Sequence, residues 1–213
     1  MTETVDRPGA EHWVPREASI AALRSAAAEC RGCELWQNAT QTVFSAGSER
    51  ARVALVGEQP GDEEDRRGIP FVGPAGRLLQ KALDEVGVDR GDVYVTNAVK
   101  HFRFTQVGSG KRRIHATPER AHLEACKPWL AAELRLVDPR LVVCLGATAA
   151  KALLGGSVRV LRDRGQLLER ETTLGVRTFL VTVHPSSVLR APDREPAYAA
   201  LVADLRVIPE VLG

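Results

Sequence analysis

The stretch VALVGEQPGD, residues 53 to 62, decides the fold, and after an acidic segment the chain continues with GIPFVG, residues 68 to 73. Residues 53 to 56 are a short, β-branched apolar run, which predicts a strand buried on both faces. The glycines and proline that follow end regular structure. Because ligands of open α/β sheets bind beyond the strand ends, we interpret the turn carrying Glu58, Gln59 and Asp62 as a site. The alternative is an acidic surface turn.

The whole chain has 213 residues, enough for one domain whose core needs no disulfides. Its 29 Lys and Arg residues against 27 Asp and Glu residues give a net charge of +2. That balance neither requires nor excludes a nucleic-acid partner. No apolar run has membrane-spanning length, and the first residues lack the pattern of a secretion signal. We therefore expect a cytoplasmic protein whose residues 1 to 16 form a loose arm.

The chain contains four cysteines, Cys30, Cys33, Cys126 and Cys144, the first two in a Cys-x2-Cys pair. In a protein of the cytosol, where thiols stay reduced, this set favours a four-thiolate metal site over disulfides. Zinc and an iron–sulfur cluster both accept four cysteines, and spacing alone does not choose between them. The alternative is that two or more of these cysteines are small buried apolar residues.

Strand patterns alternate with helix patterns along the rest of the chain. Helices are predicted from 18 to 30, from Pro74, from Pro118, from 147 to 154 and from 196 to 212. Further strands are predicted from 92 to 99, 141 to 145 and 177 to 183, with an irregular hairpin from 158 to 171. This order predicts an α/β fold: a three-layer sandwich with a central, mainly parallel four-stranded sheet flanked by helices.

Three of the predicted strands end in polar side chains: Glu58 and Gln59, Asn97, and His184. Parallel strands bring such ends to one edge of the sheet, where these groups can line one pocket. Each also has a plainer interpretation, since His184 can cap its strand and Asn97 can bond the backbone of a turn. Together with Phe71 as an apolar face, they suit a planar polar ring such as a nucleobase.

Four motifs carry a family resemblance: GEQPG at 57–61, PFVG at 70–73, TNAVK at 96–100 and HPS at 184–186. With the four cysteines, they resemble the iron–sulfur branch of the uracil-DNA glycosylase superfamily, close to family 4. Ordinary members of that branch usually have Ala where this chain has Gln59, and they lack the basic insertion KRRIH at 111–115. Both departures resemble the UdgX-type proteins, which end up covalently bound to DNA.

The resemblance implies a role for each pocket residue in removing uracil. The uracil is flipped out of the stack, Phe71 stacks on it, and Gly57 lies against it. Asn97 reads it, because one amide both donates to O4 and accepts from N3–H, a polarity that cytosine reverses. The turn from Gln59 to Asp62 is expected to exclude thymine and to belong to the catalytic machinery. His184 is expected to stabilise charge on the uracil O2 as the bond breaks.

The resemblance also implies that His115 attacks C1′ of the sugar and stays bound, with Glu58 as its orienting and activating partner. Local sequence alone favours a plainer role for His115, as part of a basic phosphate-binding patch. We weigh three alternatives for the whole protein. They are an ordinary glycosylase with multiple turnovers, a non-catalytic uracil-DNA binding module, and an iron–sulfur protein whose polar strand ends are incidental.

The remaining expectations concern DNA and the metal. The residues predicted to contact DNA are Lys100, Lys111, Arg112, Arg113, Ser186, Leu189 and Arg190. Arg113 is also a candidate to brace the loop that carries His115. The resemblance implies a structural 4Fe–4S cluster held by all four cysteines. It further implies uracil-containing DNA as partner, free uracil as product, and a monomer.

Overall fold

The computed structural model describes residues 7–16, 19–108, 112–172 and 175–213, and every structural statement concerns these residues. The strands, in chain order, are β1 (Ser45–Gly47), β2 (Val53–Gly57), β3 (Val93–Asn97), β4 (Phe104–Val107), β5 (Arg112–His115), β6 (Leu141–Leu145), β7 (Leu167–Thr172) and β8 (Gly175–Thr182). Six of them form one sheet within the described residues, in the order β1-β3-β2-β6-β8-β7. Strands β4 and β5 form a separate antiparallel hairpin.

The four central strands β3, β2, β6 and β8 are parallel to one another, as predicted. Strands β2 and β6 are buried along their whole length, because their apolar runs face helices on both sides. The predicted α/β sandwich is therefore confirmed in its central part.

The predicted count of four strands is wrong, because antiparallel edge strands flank the parallel centre. Strand β1 pairs with β3, and β7 pairs with β8. Strand β1 has only three residues, and β7 is mostly exposed, so neither carries an apolar run or a clear alternation. Edge strands need little apolar sequence, which is why the pattern missed them.

Helices cover both faces of the sheet. The α-helices, in chain order, are α1 (Ile20–Ala27), α2 (Asp62–Arg67), α3 (Pro74–Glu85), α4 (Arg120–Val137), α5 (Ala147–Leu154), α6 (Val160–Asp163), α7 (Pro185–Arg190), α8 (Arg194–Leu205) and α9 (Val207–Leu212). Helices α3, α7, α8 and α9 share one apolar core with the sheet, while α4 and α5 pack on the opposite face and α1 lies against α4. No described helix is both long enough and apolar enough to cross a membrane.

The N-terminal segment is not a loose arm over residues 7–16, which corrects the sequence prediction. Gly9 N donates to Gly32 O at 3.0 Å, and Ala10 N donates to Ala125 O at 2.8 Å. The side chain of Ala10 is buried in the same core cluster as Cys30 and Cys33. Main-chain hydrogen bonds hold this segment in place. Because such bonds leave no apolar periodicity in the sequence, the sequence pattern did not predict its packing.

Candidate active site

A cavity of about 660 Å³ opens at the carboxyl edge of the parallel strands. Strand exits contribute Glu58 after β2, Asn97 at the end of β3, Gly146 after β6 and His184 after β8. The β4–β5 hairpin supplies His115 from a fifth direction. The structure therefore brings together the polar strand ends in one cavity, because parallel strands share that edge.

The floor of the cavity requires glycine at position 57. A Cβ atom there would lie 2.3 Å from Asn97 Oδ1 and 2.7 Å from Phe71 Cζ. Phe71 itself has a φ of 56°, in the left-handed region that non-glycine residues rarely adopt. Its backbone is held there by close packing against Gly76 of α3, where a Cβ would lie 1.8 Å from Phe71 O. The aromatic ring is thus fixed at the wall of the cavity.

Asn97 presents an unused acceptor to this cavity. The residue is 1% exposed, and its Oδ1 atom is buried without a hydrogen-bond partner. A buried amide oxygen without a partner is unfavourable by about 1–3 kcal/mol. A ligand that donates an N–H to this oxygen would remove that penalty.

His184 presents a donor to the same cavity. Its Nδ1 accepts from the backbone N–H of Ser186 at 3.2 Å and lies 2.8 Å from Ser186 Oγ. Because Nδ1 must carry the lone pair, the proton of the neutral ring is on Nε2. Burial, with smaller contributions from the charges of His115 and Arg190, lowers the pKa of His184 to about 4. The ring is therefore a neutral donor at physiological pH.

Glu58 links the hairpin to the sheet. Its Oε1 lies 3.3 Å from His115 Nε2, while its Oε2 accepts a hydrogen bond from Thr148 Oγ1 at the start of α5. Burial lowers the pKa of His115, and the nearby Glu58 carboxylate opposes that shift. The His115 side chain is 46% exposed and borders the cavity, so its imidazole is accessible to a bound substrate.

Arg113 braces the hairpin and does not face solvent. Its Nε lies 2.5 Å from Asp62 Oδ1, and its Nη1 lies 2.6 Å from Asp65 Oδ2. The guanidinium also lies over the rings of Phe102 and Phe104. With its side chain 11% exposed and both carboxylates engaged, Arg113 is not available to phosphates. The prediction that it contacts DNA is wrong, and the bracing interpretation describes it.

Gln59 holds the other end of the same hairpin. Its Nε2 donates to Arg103 O at 3.0 Å and to Ala116 O at 3.1 Å, and its Oε1 accepts from Arg103 N at 3.0 Å. Gln59 borders the cavity, but all of these bonds point to the backbone beside the hairpin. These contacts show that Gln59 and Asp62 hold the hairpin that carries His115, and the catalytic and thymine-excluding roles expected of them from the sequence stay predictions.

Lys100 was expected to contact DNA, and its burial contradicts this. The side chain is 1% exposed and forms an ion pair with Glu133, which is wholly buried. Its Nζ also donates to Thr96 Oγ1 at 2.6 Å and to the backbone oxygen of Asn97 at 3.0 Å. A lysine that follows a strand looks exposed in the sequence, but here it folds back into the core.

The other residues expected at DNA keep that expectation. Arg112 and Arg190 are exposed, and Ser186 and Arg190 border the cavity. Leu189 is partly buried on α7. Lys111 lies outside the described residues.

Three of the four cysteines lie in the same part of the core. Cys30, Cys33 and Cys126 are buried in the same core cluster, beside Trp129. N–H groups point at their sulfur atoms: Trp129 Nε1 lies 3.3 Å from Cys30 Sγ, and Lys100 N lies 3.3 Å from Cys126 Sγ. N–H donors of this kind suit thiolates that hold an iron–sulfur cluster. In the described part of the chain, no three His, Cys, Asp or Glu residues are grouped to hold a single metal ion.

Cys144 does not join them, which corrects the predicted set of ligands. It lies on β6 in a different core cluster, with Ala54, Val56 and Ala149. Its pKa is raised to about 12 by burial alone, whereas the pKa of Cys126 also responds to Cys33 and Cys30. Cys144 is a small apolar core residue, the alternative that the sequence left open.

His101 is a buried histidine that directly follows Lys100, whose backbone N–H donates to Cys126 Sγ, and it offers a different donor that the sequence analysis missed. Thr42 Oγ1 donates to Ala27 O at 2.9 Å, so it accepts from His101 Nε2, also at 2.9 Å. The Nδ1 of His101 then carries a lone pair. Burial lowers the pKa of His101 to about 4, which keeps the ring neutral. A neutral imidazole whose other nitrogen is hydrogen-bonded is a typical metal ligand.

The fold and this cavity define an α/β protein with a polar pocket at the carboxyl edge of its parallel strands, and comparison with known proteins gives the family. The profile of the uracil DNA glycosylase superfamily matches residues 44–206, so the chain belongs to that superfamily. A type-4 uracil-DNA glycosylase of Pyrobaculum aerophilum is 38% identical over 167 residues, covering 76% of this chain and 81% of that protein. A type-4 uracil-DNA glycosylase of Thermotoga maritima is 35% identical over 181 residues, covering 84% and 88%.

Proposed function

We propose that this protein excises uracil from DNA and then becomes covalently attached to the abasic sugar through His115. The observation that carries the proposal is the single cavity that joins Asn97, His184 and the His115–Glu58 pair. Membership of the superfamily and the likeness to type-4 uracil-DNA glycosylases support the excision step. The attachment step rests on the position of His115.

Uracil is recognised by the amide group of Asn97 and the aromatic ring of Phe71. The unpartnered Asn97 Oδ1 accepts the N3–H of uracil, and the amide nitrogen of Asn97 donates to O4. Cytosine has no N3–H and carries a donor in place of O4, so the same amide disfavours it. Stacking on Phe71 offsets the few kcal/mol needed to take the base out of the duplex.

His184 assists the breaking of the glycosidic bond. The bond between C1′ and uracil N1 breaks with its electron pair going to uracil, where charge collects on O2. The Nε2–H of His184 donates to that oxygen, and a fixed donor of this kind contributes about 2.7–4 kcal/mol to lowering the barrier. Because the ring is neutral and already oriented by Ser186, no proton has to be taken up first.

His115 then competes with water for the sugar cation. A ring nitrogen of His115 gives its lone pair to C1′, and a new C–N bond forms. The imidazolium that results gives its other N–H proton to Glu58, whose Oε1 lies within 3.3 Å of the ring. The uracil anion takes a proton from solvent and leaves as free uracil, and the protein acts once.

The metal centre is proposed to be a 4Fe–4S cluster held by Cys30, Cys33, Cys126 and His101. Its contribution is structural, since an iron–sulfur cluster cross-links the segments that supply its ligands. The chain's own residues already bring those segments together. Residues 9 and 10 bond the backbone at 32 and 125, and Trp129 donates to Cys30.

A denaturing gel tests the proposal. The protein is mixed with a uracil-containing oligonucleotide, beside His115→Ser and beside an oligonucleotide without uracil. We expect a slow band that survives heat and detergent, needs uracil and is lost in the variant, together with free uracil from the wild type.

The names of the relatives favour a second candidate, an ordinary glycosylase with many turnovers. In that case no stable band forms, yet alkali cuts the oligonucleotide at the uracil and uracil release exceeds the amount of protein. A uracil-DNA binding module would retard the oligonucleotide in a native gel without releasing uracil at all.

A further inference from the structure

Thr148 forms a hydrogen bond with Glu58 that the sequence analysis did not predict. It is the second residue of α5, and its Oγ1 donates to Glu58 Oε2, which as a carboxylate oxygen can only accept. The start of α5 is itself anchored to the sheet, because Gly146 N donates to Thr182 O at 2.9 Å. The hydroxyl group is therefore a fixed point on the rigid part of the fold.

This contact gives the two oxygens of Glu58 different partners. Oε2 is held by Thr148, and Oε1 faces His115 Nε2 at 3.3 Å. The terminal torsion of a glutamate is broad and roughly two-fold, so without the hydroxyl group the carboxylate would sample other orientations. Some of those orientations would turn an oxygen toward the cavity, which Glu58 also borders, where it could bind water instead of the imidazole.

We propose that Thr148 is a positioning residue that decides whether the sugar cation is captured by His115 or by water. It does so by holding the Glu58 carboxylate against the imidazole, which keeps the ring oriented and provides the acceptor for its proton. The inference rests on the proposed function, because it assigns the outcome of the same step. Thr148 also borders the cavity, but its hydroxyl group is engaged by Glu58, so we expect recognition and cleavage of uracil not to depend on it.

Two substitutions at this position separate the hydroxyl group from the shape of the side chain. Thr148→Val keeps the shape and removes the donor, whereas Thr148→Ser keeps the donor. The measurement is the ratio of covalent adduct to free uracil in a single turnover, with protein in excess over DNA. We expect Thr148→Val to lower this ratio by about tenfold, the scale of one hydrogen bond to a charged group, while Thr148→Ser stays near the wild type.

The outcomes distinguish this inference from the function on which it rests. If the wild type releases uracil but forms no adduct, the proposed trapping itself is wrong, and the inference falls with it. If the wild type forms the adduct and Thr148→Val forms it in the same ratio, only the role of Thr148 is overturned. Equal losses in Thr148→Val and Thr148→Ser would also overturn it, because packing and not the hydroxyl group would then be responsible.

Discussion

The base pocket and the cysteine region differ in how the chain assembles them. Each polar group of the pocket floor lies at or just beyond the end of a parallel strand, so the order of the sheet alone brings Glu58, Asn97 and His184 together. The cysteines lie on a turn, on a helix and on a strand, and their meeting depends on which face of each element points inward. The base pocket can be predicted from the topology of the sheet, whereas predicting the cysteine region requires knowledge of side-chain packing.

The cysteine region gives the largest expected effect. If Cys126 holds the cluster and Cys144 is only a core residue, Cys126→Ser abolishes the iron content and the visible absorption of the purified protein, while Cys144→Ser keeps both. The two residues are buried to a similar degree, so they form a matched pair. Equal loss of iron in both variants would restore Cys144 as a ligand.

His101 completes the same test. His101→Ala is expected to lose iron or to hold an unstable cluster, because the fourth donor is missing, and His101→Cys is expected to keep it with an altered spectrum. Iron and sulfide analysis with electron paramagnetic resonance measures both. An unchanged spectrum in His101→Ala would mean that another group supplies the fourth bond.

The hairpin is the part of the pocket that topology does not position, and its bracing gives an intermediate effect. Arg113→Met removes two carboxylate contacts and leaves the wholly buried Asp65 without its cation. We expect the rate of adduct formation with saturating DNA to fall by about tenfold or more, since a lost hydrogen-bonded charge pair exceeds 1.4 kcal/mol. The rate of band appearance on a denaturing gel measures it.

Arg112 is the matched control for Arg113, one residue away and exposed. Arg112→Met is expected to weaken DNA binding and to reduce its dependence on salt, with the adduct rate at saturation unchanged. The reverse pattern, in which Arg113→Met alters only the salt dependence of binding, would return Arg113 to the DNA surface.

The smallest expected effect is the contribution of His184 to the pH dependence of folding stability. The pKa of His184 in the folded protein is about 4, below its ordinary value of 6.5. Between these values the unfolded chain binds a proton that the folded ring does not, so stability is lost as pH falls from about 6.5 to about 4. The slope from this residue is about 1.4 kcal/mol per pH unit.

Urea unfolding at pH 7 and at pH 5 measures this slope in the wild type and in His184→Asn. The variant is expected to show a shallower dependence, because one titrating group has been removed. An identical slope would mean that folding does not lower the pKa of His184, so that burial does not keep the ring neutral below pH 6.5.

Much of the fold and of the pocket could be predicted because the determinants are local. The run from Val53 to Val56 predicts a buried strand, and the residues after each strand predict the pocket edge. Thr148 could not be predicted, since a threonine after glycine and alanine reads only as the beginning of a helix. Its partner Glu58 is ninety positions away in sequence, and only the sheet order brings them together.

The cysteine region could not be predicted to the same extent. The sequence gives the number and spacing of the cysteines, but it does not show which way each side chain faces. Along β6, alternate residues face opposite sides, and Cys144 shares its side with apolar neighbours instead of the other thiols. His101, between a lysine and a phenylalanine, has no spacing that marks it as a ligand. Lys100 was misassigned because its partner Glu133 lies on α4, which no local pattern connects to the end of β3.

Lys100 links the two regions physically. Its backbone N–H donates to Cys126 Sγ, and its ammonium group donates to the backbone oxygen of the residue that faces the base. A change at Lys100 that alters one region would therefore alter the other as well. If the proposed cluster is removed, we expect the contact of Lys100 with Cys126 to change, and the support that Lys100 gives to the backbone of Asn97 to weaken with it.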